Sequence, residues 1–299
     1  MRFSVVIPTM RRETILATTL ASLERCDPSP HEVIVVDSDD QGSSWATVTA
    51  FDQAVSPAVR YVRTTPSLTR QRNIGIDDSS GDVVVFMDDD VSIEPDLFAR
   101  LDEVYRDPDI VGATGRVVEP ESNRRGGPAS RLRRLLPGAG REGTFTRYGY
   151  PRYLRDLDHP RDVEFMQGCF MSARREAAAA VRFDEQLGGY ALAEDEDFSY
   201  RLSRVGTLRF VPGIVINHRK LGFGSQDRRR FGRLVVANRA YLFRKNFPQT
   251  RLARFQFALL VGMLLAHRLV NREWRGAQGI IEGAVRMKGS QSDRESERL

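Results

Sequence analysis

Cysteine is almost missing from this chain: Cys26 and Cys169 are the only two. Two cysteines cannot build the disulfide framework of a small secreted fold, so a reducing, cytoplasmic compartment is expected. No glycine interrupts "VVIPTMRRETI" (5–15). Without a G-x-G-x-x-G after the first strand pattern, a dinucleotide dehydrogenase is not expected. No apolar run reaches the roughly 20 residues that a spanning helix needs. The longest, "FQFALLVGMLLAHRLV" (255–270), contains Gln256, His267 and Arg268 and reads as a buried or interfacial helix. The apolar part of "MRFSVVIPTM" is too short for a signal peptide. No internal repeat is found.

What is present is the composition of a folded chain: 41% hydrophobic and 28% charged over 299 residues, enough for one large domain or two small ones. A formal charge of +5 does not demand nucleic acid, and none is expected as a partner. The basic residues matter by position. They concentrate in "RRGGPASRLRRLLPGAGR" (124–141) and "DRRRFGR" (227–233). Each cluster suits a solvated face, an anionic lipid surface or a phosphate-bearing partner.

The first hundred residues alternate two periodicities. "FSVVIPT" (3–9), "EVIVVDSDD" (32–40), "VRYVRT" (59–64) and "VVVFM" (83–87) read as strands. Between them, 13–26, 43–55 and 67–81 read as helices, and 94–107 follows with Pro95 placed for a first helical turn. This βαβα order predicts a mostly parallel sheet with helices on both faces. Ligands bind such sheets outside the carboxyl ends of the strands. Residues 119–162, rich in Pro, Gly and Arg, read as an insertion. A strand and helix resume at 163–177, an acid-rich helix follows at 193–206, and 207–220 reads as two short strands. Residues 223–287 read as a helical extension and 288–299 as a charged tail.

Three groups of acids stand at the ends of these elements: Asp37, Asp39 and Asp40; Asp88, Asp89 and Asp90; and Glu194 to Asp197. Adjacent carboxylates repel unless a cation or hydrogen-bond donors offset them. For the first group a polar turn would suffice, and for the third the dipole of a helix start. Three acids in a row after a buried strand exceed what a cap requires. They suit a hard divalent cation, Mg²⁺ or Mn²⁺, whose remaining ligands are phosphate oxygens.

"VVIPTMRRETILATTLASL", "EVIVVDSDD", "LTRQRNIGI", "GDVVVFMDDDV", "FMQGCFMSARREAAAAVRFDEQLGGYALAEDEDFSYRL" and "IVINH" together resemble the successive motifs of the family 2 glycosyltransferases with the GT-A fold. The likeness covers about 5–220, and it extends to rhamnosyltransferase-like enzymes of cell-envelope glycans. It implies an α/β GT-A domain over 1–222, interrupted at about 119–162, and metal-dependent inverting transfer of a sugar from a nucleotide-diphosphate donor. The acceptor it implies is a saccharide or a lipid-linked saccharide.

The resemblance also implies roles. Pro8, Thr9, Arg11 or Glu13, and Asp37 hold the base and ribose. "VDSDDQGS" departs from the family pattern, so the base partner lies open between Asp37 and Asp39. Arg72 and Asn73 face the nucleotide, and Arg70 is a further diphosphate contact, since arginine forks suit phosphate. Asp88 and Asp89 belong to the donor site. Asp88, Asp90 and His218 form the metal site. Asp195 is the general base, with Glu194 orienting a neighbouring group. Asp197 caps its helix or holds Arg201 at i+4. Gly168 permits close backbone approach, and Arg174 and Arg175 either contact the acceptor or cap a helix.

Two other readings stay open: a GT-A-like module that binds a sugar nucleotide without turnover, and a nucleotidyltransferase. The retained Asp195 weighs against the first and the glycine-free N-terminal loop against the second. The C-terminal helices are expected to touch either an anionic membrane surface, at its cytoplasmic face, or a second copy of the chain.

Overall fold

The computed structural model describes residues 1–52, 57–119, 141–154, 157–187, 191–219 and 227–286. The tail 288–299 and most of the basic run 124–141 lie outside them. The chain divides into two compact units, Met1–Asn123 with Tyr153–Leu221, and Arg124–Arg152 with Gly222–Leu299.

The first unit is built on β1 (Phe3–Thr9), β2 (Glu32–Asp37), β3 (Ala58–Arg63) and β4 (Val83–Met87), which pair in parallel in the order β3-β2-β1-β4. Every residue of β1, β2 and β4 is buried, as their unbroken apolar runs require. Successive side chains enter opposite layers. Val5, Ile7, Val83, Val85 and Met87 join Leu16, Leu20 and Leu23 of α1 (Glu13–Glu24) and Phe98 and Leu101 of α4 (Leu97–Tyr105). Val6, Val84 and Phe86 pack on the other face. They meet Ile76 of α3 (Leu68–Asp78), Ala178 of α5 (Arg175–Val181) and Phe198 of α6 (Glu194–Leu202). A short α2 (Trp45–Asp52) links β2 to β3.

Beyond β4 the sheet becomes mixed. β8 (Phe170–Arg174) runs antiparallel to β4 and to β6 (Ile110–Val118), and β9 (Thr207–His218) runs parallel to β6. β5 (Val91–Ile93) and β7 (Arg161–Val163) pair antiparallel with β9. β5, β6 and β7 escape sequence reading: two are three residues long, and β6 carries two glycines in "IVGATGRVV". The two strands expected in 207–220 are one. The β6 ladder passes from Val211 straight to Val215, so an irregularity absorbs Pro212, Gly213 and Ile214 without ending the strand. Pro95 precedes the Asp96 N-cap of α4 instead of entering its first turn.

In the second unit α7 (Arg228–Asn246), α8 (Arg251–Val270) and α9 (Trp274–Arg286) pack together. α9 crosses α7 at glycine: a Cβ on Gly279 would lie 1.9 Å from the Arg229 carbonyl oxygen, so no larger residue fits. Part of the expected insertion groups here. Phe145 packs on Phe247 with ring centroids 5.7 Å apart, and Arg239 lies 4.6 Å from the Tyr150 ring centroid.

One buried carboxylate ties the first unit's sheet to the turn before β4. Glu32 accepts hydrogen bonds from Ser4 Oγ (2.6 Å), Ser80 N (2.7 Å) and Ser80 Oγ (2.9 Å). Burial alone would raise its pKa, but these donors, with Arg60, hold it below the usual value. A depressed pKa means stability present above the unfolded value and lost as pH falls through the folded one. Glu32→Gln is therefore expected to lower stability by about 1–3 kcal/mol at neutral pH. The difference should shrink as pH falls below about 4, read from urea unfolding at several pH values.

Candidate active site

β1 connects to β2 on one side and lies beside β4 on the other, so the strand order reverses between β1 and β4. The crevice at such a reversal is where open α/β sheets take ligands. Here the carboxyl end of β1 supplies Thr9, and the chain leaving β4 supplies Asp88, Asp89 and Asp90. β5 then turns those acids toward the end of β9. Val91 lies opposite His218, and Arg219 N donates to the Asp90 carbonyl at 3.0 Å. His218 Nε2 is thereby placed 3.1 Å from Asp90 Oδ1. Ligating atoms of Asp88, Asp90 and His218 all lie within 4.8 Å of one another. Two carboxylate oxygens and an imidazole nitrogen at this spacing fit Mg²⁺ or Mn²⁺.

Arg72 of α3 is the inner wall. Its side chain is 1% exposed. It donates to Asp88 Oδ1 (3.2 Å), Glu194 Oε1 (2.8 Å) and the Gly168 carbonyl (2.8 Å). Asp195, beside Glu194 at the start of α6, accepts from Gly168 N (3.0 Å) and Glu196 N (2.9 Å). A Cβ on Gly168 would sit 3.0 Å from Asp195 Oδ2, so the close approach read from the sequence is used against this carboxylate. Ala191 (φ 47°) and Ala193 (φ 72°) adopt left-handed backbone just before α6. Each costs on the order of 1 kcal/mol, and the strain lies where the acids are presented.

The charges are not balanced by protein alone. Burial pushes Asp88 above the usual carboxylate range, against the pull of Arg72 and His218. Burial, with Asp195 adjacent, pushes Glu194 up to about 8 despite Arg72. Burial also pushes Asp89 up to about 7, more than Arg12 and Thr9 offset. Burial would raise Asp90 too, but His218 and Arg12 together hold it low. Burial works to lower His218, and Asp90 outweighs it. A cleft in which carboxyls are held partly protonated gains from an added cation.

The remaining expected residues separate into two groups. Thr9 Oγ1 donates to Asp89 Oδ2 (2.8 Å), and Arg11 bridges Asp39 (2.7 Å) and Asp40 (2.9 Å), so these lie at the crevice rim. Pro8 is buried within β1, and Glu13 opens α1 half-buried. Asp37 is fully buried and accepts from Asp39 N (2.9 Å), Ser44 N (3.2 Å) and Tyr61 Oη (2.8 Å). Asp39 also accepts from Ser43 N (3.2 Å), so both candidates for the base partner are turned to protein donors. Arg70 is half-exposed and donates to Glu185 (3.2 Å) and Thr65 (3.0 Å). Asn73 corrects the expectation that it faces the nucleotide. It is buried and spends its amide on Phe183 N (2.9 Å), Phe183 O (3.0 Å) and Glu185 (3.0 Å). It pins the "FDE" segment. Arg174 and Arg175 donate to backbone carbonyls of Tyr105, Asp107 and Ile110 and of Gly81, which removes the acceptor reading. Asp197 holds Arg201, 2.7 Å away, as the i+4 spacing predicts.

Arg12 was missed. It donates to Asp89 (2.6 Å) and Asp90 (2.9 Å) and supplies the nearest counter-charge to the triple acid. Its only signal was its place beside Arg11 just after strand one. Gln71 was missed as well. It ties the ends of β1 and β2 through the Thr9 and Val36 carbonyls (3.0 and 2.7 Å).

The family model described as glycosyl transferase family 2 matches residues 4–182. The chain is 30% identical over 121 residues to an uncharacterized glycosyltransferase, YwdF, of Bacillus subtilis (strain 168). That match covers 40% of this chain and 44% of the relative, so the chain spans less than half the length of that protein. It is 27% identical over 241 residues to the amylovoran biosynthesis glycosyltransferase AmsB of Erwinia amylovora, covering 76% of this chain and 72% of that one. Among solved structures, the mannosyltransferase PcManGT from Pyrobaculum calidifontis, in complex with GDP-Man and Mn²⁺, superposes with a TM-score of 0.61. The match is 16% identical and covers 97% of this chain and 88% of that chain, a likeness of fold alone.

Removing Arg72 leaves half-buried Asp88 and buried Glu194 without their shared donor. Arg72→Ala is expected to cost about 3–5 kcal/mol. Arg72→Lys, which lacks the forked geometry, should recover less than half of that. Equal stability of all three proteins in urea unfolding would show that the cross-link does not hold the site.

Proposed function

The chain belongs to glycosyl transferase family 2 and has the GT-A fold, and from that membership we propose that it moves a hexose from a nucleoside-diphosphate sugar to a saccharide hydroxyl, inverting the anomeric centre. The observation that carries this reading is the placement of two functions on one cross-link. Arg72 joins Asp88, of the cluster suited to a metal, to Glu194, the neighbour of Asp195.

Asp88, Asp90 and His218 would hold Mg²⁺ or Mn²⁺. Such an ion neutralises the charge that grows on a departing diphosphate. The Mn²⁺ and GDP-mannose of the Pyrobaculum enzyme, and its shared fold, support this assignment. Arg70 and Arg11 stand half-exposed or exposed at the same end of the sheet and suit phosphate oxygens. Asp195 is the proposed general base. Its carboxylate is aimed by the Gly168 and Glu196 amides, which fix the orientation in which it takes the acceptor's proton. Attack by that hydroxyl opposite the leaving diphosphate is an in-line displacement, and it inverts the carbon attacked. The diphosphate needs no proton to leave, so one carboxylate base suffices.

Two outcomes test the reading. In calorimetry with a panel of sugar nucleotides, the wild type should bind one donor in a Mn²⁺- or Mg²⁺-dependent way, and Asp90→Asn should lose that dependence. Unchanged donor affinity with and without metal in both proteins would overturn the metal assignment. Asp195→Asn should keep donor affinity within a few-fold while turnover falls by roughly 10²–10⁴. Full turnover in that variant would remove Asp195 from the role of base.

A further inference from the structure

The second unit is strongly one-sided in charge. From Asp227 to Arg286 it carries thirteen Arg or Lys residues against three acids, Asp227, Glu273 and Glu282. All three acids are already committed: Asp227 caps α7, Glu273 pairs with Arg268, and Glu282 pairs with Arg229. Arg251, Arg254, Arg272 and Arg275 are exposed and have no acidic partner among the described residues.

These four arginines stand at the two ends of an apolar stripe. α8 turns its inner face, Ala253, Gln256, Phe257 and Leu260, into the unit, where Phe257 stacks on Phe243 of α7 at 4.8 Å. Its outer face presents Leu252, Phe255, Leu259, Leu269 and Val270, with Phe255 60% and Val270 72% exposed. The spacing is helical, so these residues form one stripe along a helix about 30 Å long. No charge falls between Arg254 and Arg268. α9 continues the surface with Trp274, Ile281 and Val285, the first 63% exposed. An aromatic, aliphatic stripe closed by unpaired arginines has the composition of a surface that lies in the headgroup region of an anionic bilayer. Contrary to the expectation drawn from the apolar run 255–270, α8 with its first turn included is long and apolar enough to cross a membrane, by length and composition only. However, its inner face is packed against a helix that carries arginine and lysine on several sides, and that suits lying on a bilayer over crossing it.

We infer that the outer faces of α8 and α9 dock this protein on an anionic lipid bilayer. A second copy is the poorer occupant. Two such surfaces face to face would set the four exposed arginines of one copy against the same four of the other, with Glu273 and Glu282 already paired. A nucleic acid would leave the apolar stripe unmatched. The inference stands apart from the catalytic reading and adds to it: a catalyst held on a bilayer meets acceptors carried by lipid.

The test is flotation of the full-length chain with vesicles of phosphatidylcholine, with or without phosphatidylglycerol. Binding is expected only with the anionic lipid, and it should weaken as salt rises. Phe255→Asp with Leu259→Asp should abolish it while leaving the melting temperature and donor affinity unchanged. Arg254→Gln with Arg275→Gln should lower the partition coefficient about 25-fold at low salt, about fivefold for each residue. Equal recovery in the soluble fraction with both vesicle types at low salt would overturn the inference. So would a dimer, seen by light scattering, that the aspartate variants dissociate. Resistance to alkaline carbonate would replace docking with insertion. None of these outcomes alters the donor-binding tests.

Discussion

A single buried guanidinium organises the acid-rich, carboxyl end of the sheet. Arg72 reaches Asp88 from the end of β4, Glu194 from the start of α6, and the Gly168 carbonyl just before β8. Those three points are far apart in the chain, and the guanidinium adds to the β4–β8 pairing, the Asp88 N to Cys169 O bond and the Gly168 N to Asp195 bond that also hold them together. A buried arginine is tolerable only when its charge and its forked donors are matched. Asp88, Glu194 and the Gly168 carbonyl take its two terminal nitrogens while Nε has no partner among the described residues, and the two carboxylates are also the groups around which the proposed chemistry turns. The cross-link and the site thus depend on the same charges.

The cleft carries more carboxylates than its arginines can balance. Arg12 serves Asp89 and Asp90, Arg72 serves Asp88 and Glu194, and yet burial still pushes Asp88, Asp89 and Glu194 upward. Asp90 is the exception, because His218 and Arg12 approach it from two sides. Such a site is least stable when empty of cations, and a divalent ion with its phosphate ligands would relieve it. Backbone strain at Ala191 and Ala193 adds to the same local store.

Much of the first unit was legible because its strands are fully buried. The short β-branched runs "VVI", "VIVV" and "VVVFM" fit inner strands, and the acids that follow the second and third mark the carboxyl edge. The triple acid and His218 were legible as chemistry, since their residue types exceed what turns and caps require. Asn73 misled because a polar residue in a motif can serve the fold. Its amide matches the backbone of Phe183, a partner more than a hundred residues away. Arg12 went unnoticed because an arginine beside another on a loop has no periodicity to betray its direction.

The sequence by itself determined the alternation of elements, the burial of the inner strands and the chemistry available at their ends, because those depend on local propensity and on the apolar pattern of each segment. Tertiary structure alone decided which of the polar residues meet. The three-residue β5 has no signal of its own, but its pairing with the last residues of β9 brings His218 beside Asp90. The bulge over Pro212, Gly213 and Ile214 keeps β9 continuous enough to reach that point. Contacts of this kind follow from strand register, and register is set by the whole sheet closing around its core rather than by any residue within the segment.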